Sequence, residues 1–95
     1  MKFVINDCFG GFSLSNFAVD ALGLDSPWDR IERYNPALID LFNRYGSERI
    51  SGTCAELCMV EIPDAATDWR IMKYDGSEEV LYVLDGKMHF AQPIY

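Results

Sequence analysis

What this chain has little of narrows its function before any motif is considered. It carries one histidine and three cysteines in 95 residues. So few cysteines read as free thiols of a reducing compartment rather than as a disulfide framework. No apolar run approaches the ~18 residues a membrane-spanning helix needs. The start, MKFVINDCFGG, has a single lysine and no proper hydrophobic core segment, so no secretory signal is expected and the cytoplasm, that of a bacterial host, is the expected location. There is no GxGxxG and no lysine in the one glycine-rich turn, which removes the usual phosphate-loop readings. There is no repeat, no low-complexity segment and no internal boundary, so residues 1–95 are expected to form one domain. Basic residues are also scarce: eight against fifteen acids, for a net charge of −7.

That charge disfavours direct binding to nucleic acid or to an anionic membrane, since a phosphate surface needs a positive counterpart. It is also uneven. From Glu56 onward, eight acids (Glu56, Glu61, Asp64, Asp68, Asp75, Glu78, Glu79, Asp85) face Arg70, Lys73 and Lys87, a net of −5. Residues 1–55 hold seven acids and five bases, a net of −2. A basic protein surface is the electrostatically natural partner; the plain alternative is that the acidity serves solubility.

Hydrophobic content of 49% and aromatic content of 14% suit a packed globule. Lys2–Asn6 is a β-branched and aromatic run, a first strand. Ser15 is a good N-cap for a two-turn helix over residues 16–22, with Gly23 at the C′ position. Residues 24–34 form a connection stiffened by Pro27 and Trp28. Asn35 and Pro36 start the best helix: Leu38, Leu41, Phe42 and Tyr45 make one apolar stripe, and Gly46 is expected to end it. Residues 47–55 read as a loop pivoting on Gly52. Residues 56–62 are apolar on both faces, which suggests an inner strand. Residues 68–74, 80–84 and 87–91 read as further strands joined by Asp-Gly turns at 75–76 and 85–86. The expected fold is α+β: a mostly antiparallel sheet of four to five strands with two helices on one face.

Several of these segments resemble a family of small proteins of bacteriophages, prophages and gut bacteria. The resemblance is carried by Asn6-Asp7-Cys8-Phe9-Gly10-Gly11-Phe12, Leu14-Ser15, Asn35-Pro36-Ala37-Leu38, Met59-Val60-Glu61-Ile62-Pro63-Asp64, Asp68-Trp69 and Tyr74-Asp75-Gly76. It spans about residues 1–80 in order and spacing. The two most specific stretches are residues 8–15 and 61–76. The chain departs after Val80, where the family's charged, Trp-terminated end is replaced by residues 81–95. The resemblance implies origin and fold, a small accessory protein of phage or mobile-element type, and names no activity.

Few residues carry chemistry. The glycine turn at 10–11 could cradle an anion on backbone N–H groups, but its simpler role is to supply unusual φ values for a tight reversal. Cys8, Cys54, Cys58 and His89 make a Cys₃His zinc set by count, yet only Cys54 and Cys58 share a zinc-like spacing. A Cys–His nucleophile built on Cys8 or Cys54 with His89 would need geometry that nothing in the sequence imposes. The chain is therefore expected to be no enzyme and to need neither metal nor cofactor. The acids Asp64, Asp68, Asp75, Glu78 and Glu79 read as an exposed negative rim, with side chains on one strand face about 6.6–7 Å apart. Trp28, Tyr34 and Tyr95 read as exposed contacts for a partner, and Trp69 as core. The functional expectation is an inhibitor that acts as a DNA mimic and covers a basic nucleic-acid-binding surface of a host defence complex, as anti-CRISPR proteins do. The alternative is a homodimeric assembly protein that pairs through a strand edge near residues 87–91; a small Cys-dependent enzyme or zinc protein comes third.

Overall fold

The computed structural model describes residues 1–94, and Tyr95 lies outside the described residues. The element order is β1 (Lys2–Asn6), α1 (Asn16–Leu22), α2 (Pro36–Ile50), β2 (Leu57–Glu61), β3 (Asp68–Tyr74), β4 (Ser77–Leu84) and β5 (Lys87–Phe90). The fold is α+β, and all strand pairings are antiparallel.

The local signals behave as their chemistry requires. Ser15 Oγ accepts from Ala18 N at 3.2 Å, and Gly23 closes α1 at φ 68°. Asn35 Oδ1 accepts from Ala37 N at 2.8 Å, with Pro36 opening α2. Gly46 does not end α2 as expected. It takes φ 80° and ψ 170°, kinks the chain, and a further turn runs on to Ile50. Ser51 N–H bonds back to Ser47 O at 2.9 Å, so residues 47–50 are helical rather than loop. Tyr45, the fourth member of the expected stripe, is half exposed and meets the Phe17 ring edge-on at 4.8 Å.

The single sheet of four to five strands gives way to two: β1–β2, and β3–β4–β5. The reason lies in what occupies the edges of the first pair. The Arg33 carbonyl takes Val4 N–H at 2.8 Å beside β1. Beside β2, the C-terminal segment pairs through Val60 and Pro93, and Met59 O accepts Ile94 N–H at 2.8 Å. With that edge filled, the turn after Pro63 carries the chain across to a second layer instead of alongside the first.

β1–β2 thus becomes the middle of three layers. On one face Val4, Leu57 and Met59 meet Leu38, Leu41, Phe42 and Ile50 of α2 and Ala18 of α1. On the other, Phe3, Ile5, Cys58, Val60 and Ile62 meet Val80 with Trp69, Ile71 and Tyr82 at its margin. The two apolar faces of residues 57–62 are real, but they mark a strand sandwiched between layers rather than one flanked by strands on a wide sheet. Each fully buried aliphatic there contributes about 1.5–3 kcal/mol.

Candidate functional site

The Cys8–Gly11 turn and the Tyr74–Gly76 turn meet at one corner of the molecule. Asn6 is their hub, and it is fully buried. Its Nδ2 donates to Cys8 O and to Gly76 O, both at 2.8 Å. Its Oδ1 accepts from Glu56 N at 2.9 Å and from Cys8 Sγ at 3.4 Å. Its backbone N–H donates to Glu78 Oε1 at 3.0 Å. One side chain thereby ties β1, the start of β2 and the β3–β4 turn together.

Glu78 is the counterpart. It was expected on an exposed acidic rim, yet it is 2% exposed. Its place on β4 faces it inward with Val80, two residues on. Burial of a carboxylate demands partners, and it has them. Arg33 reaches it with Nε at 3.1 Å and Nη2 at 2.9 Å, a two-pronged contact, and Lys73 Nζ stands 3.9 Å away. Arg33 also donates from Nη1 to Ile31 O at 2.8 Å and lies over the Phe12 ring at 3.6 Å. No buried side-chain polar atom among the described residues lacks a partner. The network is thus a satisfied clasp.

Glycine makes the corner tight. A Cβ on Gly10 would run into the Cys54 carbonyl and stand 2.7 Å from Cys54 Cβ. Gly76, at φ +88°, would bring one onto Gly11, 2.7 Å from its Cα. Only glycine allows these backbones to touch. The expected role of the glycine turn as a reversal is therefore extended by close packing against two other loops.

On this closely packed base stand aromatics that the core does not use. Phe9 is 72% exposed and Tyr74 is 74% exposed, their rings edge to face at 6.4 Å. Trp28, also 74% exposed, sits on a turn held by Ser26 and Asp29, where Ser26 Oγ accepts its N–H at 3.2 Å. Trp28 lines a shallow groove with Phe12, Arg33, Ile71 and Lys73, and a second with Gly52 and Cys54. Asp7 and Asp75 are exposed beside the turns.

The other expected site residues scatter. Tyr34 is partly exposed but packs its ring against Phe3 at 6.2 Å and Trp69 at 5.6 Å. Trp69 is half-buried against Phe3 at 4.8 Å. Asp64 is exposed and pairs with the N-terminal ammonium at 3.4 Å, and Asp68 is exposed at the start of β3. Asp68 pairs with Val83 and Tyr74 with Ser77, so Asp68 and Asp75 lie at opposite ends of a seven-residue strand, about 20 Å apart. The acids form two end clusters and not one row.

The cysteines and His89 do not assemble. Cys8 Sγ donates to Cys54 O at 3.1 Å at the glycine corner, while His89 stacks on Tyr82 at 5.3 Å on the far part of the second sheet. Cys58 is buried, and burial, with Asp7 and Glu78 nearby, pushes its thiol from 9.0 up to about 11. Among the described residues no three His, Cys, Asp or Glu side chains are grouped to hold a metal ion. No helix there is long and apolar enough to cross a membrane. Asn6, Phe9, Arg33 and Tyr74 went unnoticed as site residues from sequence. The resemblance stretches contained three of them, but Arg33 in a connection has no pattern to reveal a partner 45 positions away.

No family model, curated protein or solved structure matches this chain.

Proposed function

We propose that this chain is a non-enzymatic binding protein that engages a protein partner through its glycine-packed corner. One observation carries the reading: Phe9 and Tyr74 present about three quarters of their surface to solvent while standing on turns whose backbones pack closely at Gly10, Gly11 and Gly76. Large aromatics on a preorganised base are what a protein interface uses as central contacts, because little entropy is lost on docking. The corner offers an apolar pair flanked by Asp7, Asp75 and, one strand over, Glu79. The complementary partner has an apolar pocket with a basic rim. A host defence complex of the CRISPR-Cas type handles nucleic acid in a positively charged channel, which supplies the basic component, and a phage-type accessory protein that covers it would act as an inhibitor. Glu78 has no part in that contact, because it is spent inside the clasp.

The test is a pull-down with tagged protein from bacterial lysates that contain defined defence complexes, washed at low and high salt. A basic nucleic-acid-handling complex, competed off by its own DNA or RNA, is expected. The Phe9→Ala/Tyr74→Ala variant should fold and lose at least ~30-fold in affinity for it, the effect of about 2 kcal/mol at an interface centre. Undiminished capture by that folded variant would overturn the assignment.

A further inference from the structure

We propose that two copies of this chain pair antiparallel through the outer edge of β5, with His89 on the two-fold axis and Lys87 of each copy placed at the Glu61–Asp64 groove of the other. The inference uses a surface remote from the aromatic corner and does not rest on it.

All four residues of β5 are exposed. The strand pairs with β4 on one side only, in the register Leu84↔Lys87, Val83↔Met88, Tyr82↔His89 and Leu81↔Phe90, and Ala91 N–H bonds to Val80 O at 2.9 Å. Antiparallel ladders alternate. Ala91 turns its groups to β4, so His89 and Lys87 do as well, and Met88 and Phe90 turn theirs outward. On that side the Phe90 carbonyl meets the Gln92 amide at a long 3.5 Å. Such an edge is a template for another strand.

Three features point to a second copy as the occupant. The first is register. A two-fold centred on His89 sets Met88 opposite Phe90 of the other copy, so both outward-facing residues of each strand are used and four backbone bonds form. The second is side-chain match. In that register the exposed Met88 and Phe90 (59% and 52%) lie directly across from each other on the open face of the sheet. The third is charge. Residues 86–95 contain Lys87 and no acid, although the whole chain is at −7. β3, at the opposite edge of the sheet, carries Asp68, Arg70 and Lys73 instead. The β5 edge therefore brings two acidic molecules together without opposing carboxylates. It also does more than avoid repulsion. Lys87 falls opposite Ala91 of the other copy, on the inner side of the sheet. Ala91 lines a groove together with Glu61, Asp64 and Tyr82. Each lysine enters the partner copy's acidic groove, twice by symmetry. The seam is short, at the small end of the interface range, so the dimer is expected to be in micromolar exchange.

Sedimentation of the full chain from tens to hundreds of micromolar tests this. The expected result is a concentration-dependent species of twice the 10.8 kDa chain mass that weakens with salt. Lys87→Glu should raise the dissociation constant at least ~10-fold, because a charge is set against like charges. The swap Lys87→Glu/Glu61→Lys should restore it. Lys87 and Glu61 are both exposed, so the fold survives either change. A chain that stays monomeric throughout overturns the proposal. So does a dimer whose constant ignores Lys87→Glu, which would place the interface elsewhere, as would a swap that fails to recover what the single change lost.

Discussion

Removing the Glu78 carboxylate is the perturbation that best separates the molecule described here from an acidic protein with a solvated rim. Glu78→Ala strands the Arg33 guanidinium, which loses partners at 2.9 and 3.1 Å, and the Asn6 N–H, which loses one at 3.0 Å. Breaking a buried ion pair from one side costs about 3–5 kcal/mol. A chain of 95 residues has roughly 5–14 kcal/mol in total, so the variant forfeits at least about a fifth of its stability, and all of it at the low end of that range. In urea, with a slope of about 1–1.5 kcal/mol/M for so small a domain, the midpoint should fall by roughly 2–5 M, or the chain should not fold. An exposed carboxylate would move it by under ~0.5 kcal/mol. The companion Glu78→Met/Arg33→Met is the sharper measurement. Replacing both charges with apolar groups of similar volume takes a partner only from Asn6 N–H and from the part-buried Ile31 carbonyl, and the double variant should be more stable than Glu78→Ala by at least ~2 kcal/mol. A Glu78→Ala loss below ~1 kcal/mol, or a double variant no better than the single, would refute the clasp.

The glycine corner predicts a contrast between two positions. Gly10→Ala drives a Cβ into the Cys54 backbone and should cost several kcal/mol, whereas Gly86→Ala, at φ +76° but in open space, should cost about 1 kcal/mol; thermal melts would show it. Cys58 predicts an alkaline limit. Its folded pKa lies above the unfolded 9.0, so folding favours the neutral thiol; stability should be full below that pH and decline by roughly 2–3 kcal/mol as pH climbs to about 11. Cys58→Val should remove this decline, and urea midpoints across the window check it. Alkylation of the native protein should label exposed Cys54 first and leave Cys58 unmodified until unfolding, read by mass spectrometry.

Local chemistry alone determined much of this protein. The Ser15 and Asn35 caps, Pro36, Gly23, the two Asp-Gly turns and the alternation of residues 57–62 act over a few positions, where side chain and backbone are neighbours regardless of the fold. They suffice for the helices, the strands and the α+β class. Gly46 shows the limit even at short range: its φ of 80° breaks the helix axis, but Ile50 is wholly buried in the core, and that packing draws one more turn out of residues 47–50. What only the tertiary structure decided are matters of distance through space. The split into two sheets depends on Pro93 and Ile94 filling the edge of β2 from the other end of the chain. The fate of Glu78 depends on Arg33, and the same letter that reads as a solvated acid in a run of acids becomes the buried centre of a clasp. Phe9 and Tyr74 became a surface pair because Gly10, Gly11 and Gly76 let three loops touch. Sequence periodicity reports which way a side chain faces along its own element; it carries no information on which element will be waiting there.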